Sequence, residues 1–139
     1  MRHRMARHTM SRCAEIALRA VNYRRLGIPT YKEAWEMASK EVTEEWAYRK
    51  ETHFSPRNTF LAIFGEGDVK ENAEYAKEAL RILRKDPDAT FTTRQLWKKV
   101  MQELIYKGVI EKEKAYNEQM DVVLALWNAK LIPEEGGTL

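Results

Sequence analysis

The strongest constraint on this chain is the run Val122-Val123-Leu124-Ala125-Leu126-Trp127, six consecutive apolar residues near its C-terminal end. Placed on a helix from about Asn117 to Lys130, these side chains cover the whole circumference, and a helix that is apolar all round is buried on every side. A chain of 139 residues builds one sizeable core. The run therefore predicts a central helix with the rest of the protein wrapped around it.

The remaining punctuation is also helical. Ser11 is a good N-cap for a first helix with Ala14, Ala17, Leu18 and Val21 on one face and Arg12 and Arg19 on the other, closed by Gly27 and Pro29. Thr30-Tyr31-Lys32-Glu33 reads as a capping box, and Trp35, Ala38, Val42 and Trp46 follow as a core-facing stripe. Ser55-Pro56 reads as an N-cap with proline at the first helical position, opening a short helix with Phe60, Leu61, Ile63 and Phe64. A fourth helix from Asn72 stops before Asp86-Pro87, because the residue preceding proline is pushed out of helical geometry. Thr92 and Gln95 form a second capping box for a fifth helix that closes near Gly108; the charged stretch Val109 to Tyr116 reads equally as helix or loop. Nothing reads as a hairpin or a repeat. The expectation is an all-α, compact single-domain bundle of five to six helices over residues 11–133, with a basic arm over residues 1–10, ordered or not, and a tail over 134–139.

Composition narrows the setting. With 44% hydrophobic and 32% charged residues, the chain is globular in type. No stretch approaches the roughly 18 apolar residues of a membrane span, and the front lacks the apolar centre of a secretory signal. The single cysteine, Cys13, forms no internal disulfide and reads as core. A cytoplasmic location is expected. Residues 1 to 25 carry seven arginines against Glu15 alone, a net +6 that leaves −3 for the remainder. That front suits a nucleic-acid arm or a transit peptide, or reflects a native start at Met10.

The last helix also carries a resemblance. Asn117-Glu118-Gln119-Met120-Asp121 running into Val122–Trp127 is similar to the C-terminal motif of an uncharacterised family of short bacterial proteins, catalogued as a domain of unknown function. Glu33-Ala34-Trp35-Glu36, Ser55 to Phe64, Tyr75-Ala76 and Leu96-Trp97-Lys98-Lys99-Val100-Met101 resemble it in the same order, so that the likeness spans roughly residues 13 to 132. The chain departs from the pattern at Phe54 and Phe64, where cysteines are common, and at Tyr116, where a histidine is usual. The resemblance implies an intracellular bacterial or phage-related protein and names no reaction.

Candidate sites follow from residue chemistry. Arg4, Arg7, Arg12 and Arg19 are the candidate nucleic-acid contacts, since each arginine that neutralises a phosphate strengthens binding and its salt sensitivity. Arg57 and Asn58, in a first helical turn, are candidate anion ligands, as are Asn117 and Asp121, which share a helix face four residues apart. The same residues have structural readings, with Asn117 as an N-cap and Asp121 as a first-turn carboxylate paired to a base such as Arg57. Trp46 and Tyr48 are candidate partner contacts. No phosphate-binding Gly loop, His-Glu-x-x-His or Gly-x-Ser-x-Gly is present, and no metal-ligand spacing or cofactor motif is found. The expected function is therefore a non-catalytic module that contacts DNA, RNA or a nucleoprotein complex through its basic front. The alternatives are a protein-protein adaptor or inhibitor of the kind phage and defence systems use, and a small-ligand binder or enzyme built around Asn117, Asp121 and Arg57.

Overall fold

The computed structural model describes residues 11–46 and 54–134. Six helices are ordered along them: α1 (Arg12–Arg25), α2 (Tyr31–Trp46), α3 (Phe54–Ile63), α4 (Lys70–Lys85), α5 (Thr93–Tyr106) and α6 (Gln119–Asn128). Among the described residues there is no strand, and no helix is long and apolar enough to cross a membrane.

The ends of most helices follow from local chemistry. Ser11 Oγ accepts the Ala14 N–H at 3.1 Å, and Gly27, at φ 113°, turns the chain out of α1 through the left-handed region. Thr92 and Gln95 complete the reciprocal box of α5, at 3.1 and 2.9 Å. Asp86 leaves helical geometry ahead of Pro87, at φ −139°. Two starts differ from expectation. The third helix begins at Phe54, with Ser55 and Pro56 already inside its first turn, where amides have no intrahelical acceptor. The last begins at Gln119 instead of Asn117. The stretch Val109 to Tyr116 is not helical; the Trp97 indole N–H donates to the Lys114 carbonyl at 3.2 Å and pins it to α5.

The box at α2 is built from two parts of the chain. Thr30 Oγ1 accepts the Glu33 N–H at 3.0 Å, but the Glu33 carboxylate takes the Thr30 hydroxyl. The free Tyr31 and Lys32 N–H groups are taken by the Glu66 carboxylate, at 2.8 and 2.9 Å, which also meets the positive end of the helix dipole. Glu66 is set there by the tight turn after α3: its N–H returns to Leu61 O at 2.8 Å, and a Cβ on Gly67 would lie 2.7 Å from the Ala62 nitrogen.

Helix α6 occupies the centre, packing against α1, α3, α4 and α5. Met120, Val122, Val123 and Leu126 are fully buried, while Leu124, Ala125 and Trp127 are half-buried, so no residue of the run faces open solvent. Each fully buried aliphatic chain of this size contributes about 1.5–3 kcal/mol. Trp35 and Trp97 are buried, as their spacing predicts. Cys13 is core, and Phe64 stacks on Tyr31 with ring centroids 4.1 Å apart.

Candidate functional site

The structure redistributes the arginines that the sequence singles out. Arg19 is not on a solvated face. Its guanidinium is shared by Glu15 at 2.9 Å, Glu41 at 3.0 Å and Glu45 at 2.9 Å, closing an ionic clamp between α1 and α2. The hydrogen bonds it donates to Glu45 first, then to Glu15 and Glu41, raise its pKa further against desolvation, and the Glu45 carboxyl is correspondingly lowered. With three carboxylates around one cation, this position repels phosphate. Arg12 is half-buried and has an interaction partner of its own. Arg4, Arg7 and Tyr48 lie outside the described residues, as does the side chain of Trp46, the last residue of α2.

Arg57 Nε donates to Glu36 Oε2 at 3.1 Å, tying α3 to α2, and it does not pair with Asp121. Asn58 is buried, with its amide donated to the Phe54 carbonyl at 2.9 Å, so it is a brace within α3. The anion-binding reading of these two residues therefore loses its geometry.

Asn117 and Asp121 do come together, in a cleft of about 410 Å³ lined also by Ser11, Thr93, Arg94, Tyr116 and Glu118. Three helix starts converge there, those of α1, α5 and α6. Asn117 is not the N-cap: its own N–H donates to Gln119 Oε1 at 2.8 Å, and Glu118, in the left-handed region at φ 68°, stands in the cap position. The cap is supplied by Tyr116, whose hydroxyl accepts the Asp121 N–H at 3.0 Å and donates to Asp121 Oδ1. Burial and the Asp121 carboxylate push the Tyr116 phenol far above its ordinary pKa. The ring is held by Trp97, 5.4 Å between centroids, and the Arg94 guanidinium lies over it at 5.1 Å. The arginine that meets the α6 motif is thus Arg94 and not Arg57.

A second feature lies along α4 and α5. Two hollows of about 350 and 370 Å³ share Arg81; Lys77, Arg84 and Lys107 line the first, and Lys85 and Lys99 the second. Six cations there face four carboxylates, Glu74, Glu78, Asp86 and Glu103. Glu78 is buried, and its carboxylate takes Arg81 Nε and Lys107 Nζ, both at 2.8 Å. Desolvation opposes its ionisation, but the two cations prevail and hold its pKa below the usual carboxylate range. Tyr106, 87% exposed, is the last residue of α5, next in the chain to Lys107 of the first hollow and between the exposed Ile105 and Val109. The basic stripe of Lys77, Arg81, Arg84 and Lys85 was readable as one helix face from its spacing of three and four residues, whereas Arg94 carried no such signal.

Among the described residues, no group of three or more His, Cys, Asp or Glu side chains is arranged to hold a metal ion. Fold and sites together define a single-domain all-α protein with a mixed-charge cleft and a basic seam. The chain belongs to a family of unknown function (DUF6979), whose profile matches residues 10–133. No curated protein and no solved structure matches it.

Proposed function

We propose that the protein is a stoichiometric, non-catalytic binding module of the bacterial cytoplasm that contacts nucleic acid or a nucleoprotein complex. The observation that carries this reading is the α4–α5 seam, where basic side chains outnumber acidic ones in a part of the chain that is otherwise net negative. Phosphate contacts need surface cations held in a row, and the exposed Tyr106 ring at the seam's end offers a stacking platform for an unpaired base. Arg4, Arg7 and Arg12 extend the same chemistry at the front of the chain, and Arg19, neutralised within its clamp, leaves the set of contacts.

The test is fluorescence anisotropy of short single-stranded DNA and RNA with the full chain, at low and physiological salt. Each phosphate neutralised on a single strand adds about 0.7 to the slope of log affinity against log salt. Reversing three exposed seam lysines together (Lys77→Glu, Lys85→Glu and Lys99→Glu) is expected to abolish binding at physiological salt. Absence of binding at low salt, or binding indifferent to the triple reversal, overturns the reading.

The apolar end of the seam favours one second reading, a protein-protein adaptor that docks on Ile105, Tyr106 and Val109. Capture of a partner that survives nuclease treatment and is lost in Tyr106→Ala supports it.

A further inference from the structure

We infer that the cleft at the start of α6 is a binding site for a small zwitterion, a compound bearing both an ammonium and a carboxylate, of the size of a free amino acid. The site is separate from the α4–α5 seam and does not depend on nucleic-acid binding.

Opposite charges line this cleft without meeting each other. On the α5 side, the Arg94 guanidinium lies against the Tyr116 ring and, among the described residues, forms no ion pair. The ring contact leaves its N–H groups without a carboxylate partner, and a guanidinium fork is suited to grip one. On the α6 side, Glu118 Oε1 is shielded from solvent and has no hydrogen-bond partner. An acceptor left unpaired is unfavourable, and an ammonium in the cleft gives the Glu118 carboxylate a donor. Asp121 adds a second negative charge on that side, fixed in place by the Tyr116 hydroxyl.

The void between the two sides, about 410 Å³, falls in the range of small-ligand sites. Its charge pattern also selects the ligand. A simple anion would satisfy Arg94 and then confront two carboxylates; a simple cation would meet Glu118 and leave Arg94 unpaired. Only a ligand with both groups answers both walls, and the two carboxylates exclude a polyphosphate strand from the same space.

The full chain is tested by thermal unfolding and titration calorimetry against a set of α-, β- and γ-amino acids, with acetate and methylammonium as single-charge controls at equal ionic strength. At least one amino acid is expected to raise Tm and bind, while neither control does. Arg94→Gln and Glu118→Gln, both at positions outside the core, are each expected to weaken that binding at least about tenfold, which corresponds to about 1.4 kcal/mol. No response to any amino acid, an equal response to acetate or methylammonium, or unchanged affinity in both variants overturns the assignment.

Discussion

The Tyr116 hydroxyl donates to the Asp121 carboxylate and accepts the Asp121 backbone N–H, so one phenol caps the central helix and locks a cleft carboxylate at the same time. An N-cap bond satisfies a backbone donor that the helix cannot pair internally. Here the donor lies near the core, where leaving it unmade is most costly. The cap comes from five residues upstream and from a residue type outside the usual set of Ser, Thr, Asp and Asn.

Replacing Tyr116 by Phe keeps the ring between Trp97 and Arg94 and removes only the hydroxyl. The variant is expected to lose about 1–2 kcal/mol in urea unfolding, the usual worth of a cap or a charge-assisted hydrogen bond. In the wild type the phenol's folded pKa lies above its unfolded value, so its contribution is complete below pH 10 and fades as pH rises beyond that. Equal stability of Tyr116→Phe and wild type at pH 7 would show that the bond contributes nothing.

Glu78 gives the opposite pH dependence. Its folded pKa is depressed, so the stabilisation it brings is complete above the ordinary carboxylate pKa and is lost as pH falls through the folded value. Glu78→Gln leaves Arg81 and Lys107 facing a neutral amide. It is expected to cost about 1–2 kcal/mol at pH 7, below the full penalty of breaking a buried pair because both cations are partly exposed. Urea midpoints of wild type and Glu78→Gln should converge as pH is lowered from 7 to 3; parallel curves would remove Glu78 from the acid response.

Arg19 separates structure from binding. Arg19→Ala leaves Glu15, Glu41 and Glu45 repelling one another across α1 and α2, and a loss of about 1 kcal/mol is expected, smaller at 1 M salt because the pairs are partly exposed. The same variant should bind single-stranded nucleic acid as wild type does. A large loss of binding with no change in stability would return Arg19 to the contact surface.

How much of this was legible in the sequence depends on the distance over which each interaction acts. The Thr92–Gln95 box, the Ser11 cap, the stop before Pro87 and the stripe of Trp35, Ala38 and Val42 are built from steps of at most four positions, and the structure contains all of them. The Asn117 cap was also a local reading, and it failed because a tyrosine outside the expected set reaches the same N–H. The Glu33 half of the α2 box is absent because its carboxylate takes the Thr30 hydroxyl, while the free Tyr31 and Lys32 N–H groups are met by Glu66, 33 positions later. Neither the Tyr116 cap nor the Glu66 contact has a periodic or compositional signature.

The candidate sites divide in the same way. The sequence put Asn117 and Asp121 on one helix face, and they do share a cleft; it assigned them Arg57, which Glu36 holds elsewhere. Arg94 joins them because α5 and α6 pack so that their starts meet beside Ser11.

By itself, the sequence determined an all-α protein with a central apolar helix and most of the helix ends. Those outcomes follow from the 3.6-residue period and from caps that span one turn. Only the tertiary structure decided which charges neutralise each other, as in the Arg19 clamp and the Glu78 pair, and which are left facing a cleft or a seam. Ion pairing falls off over a few ångströms, and which side chains come within that range depends on how helices dozens of residues apart cross.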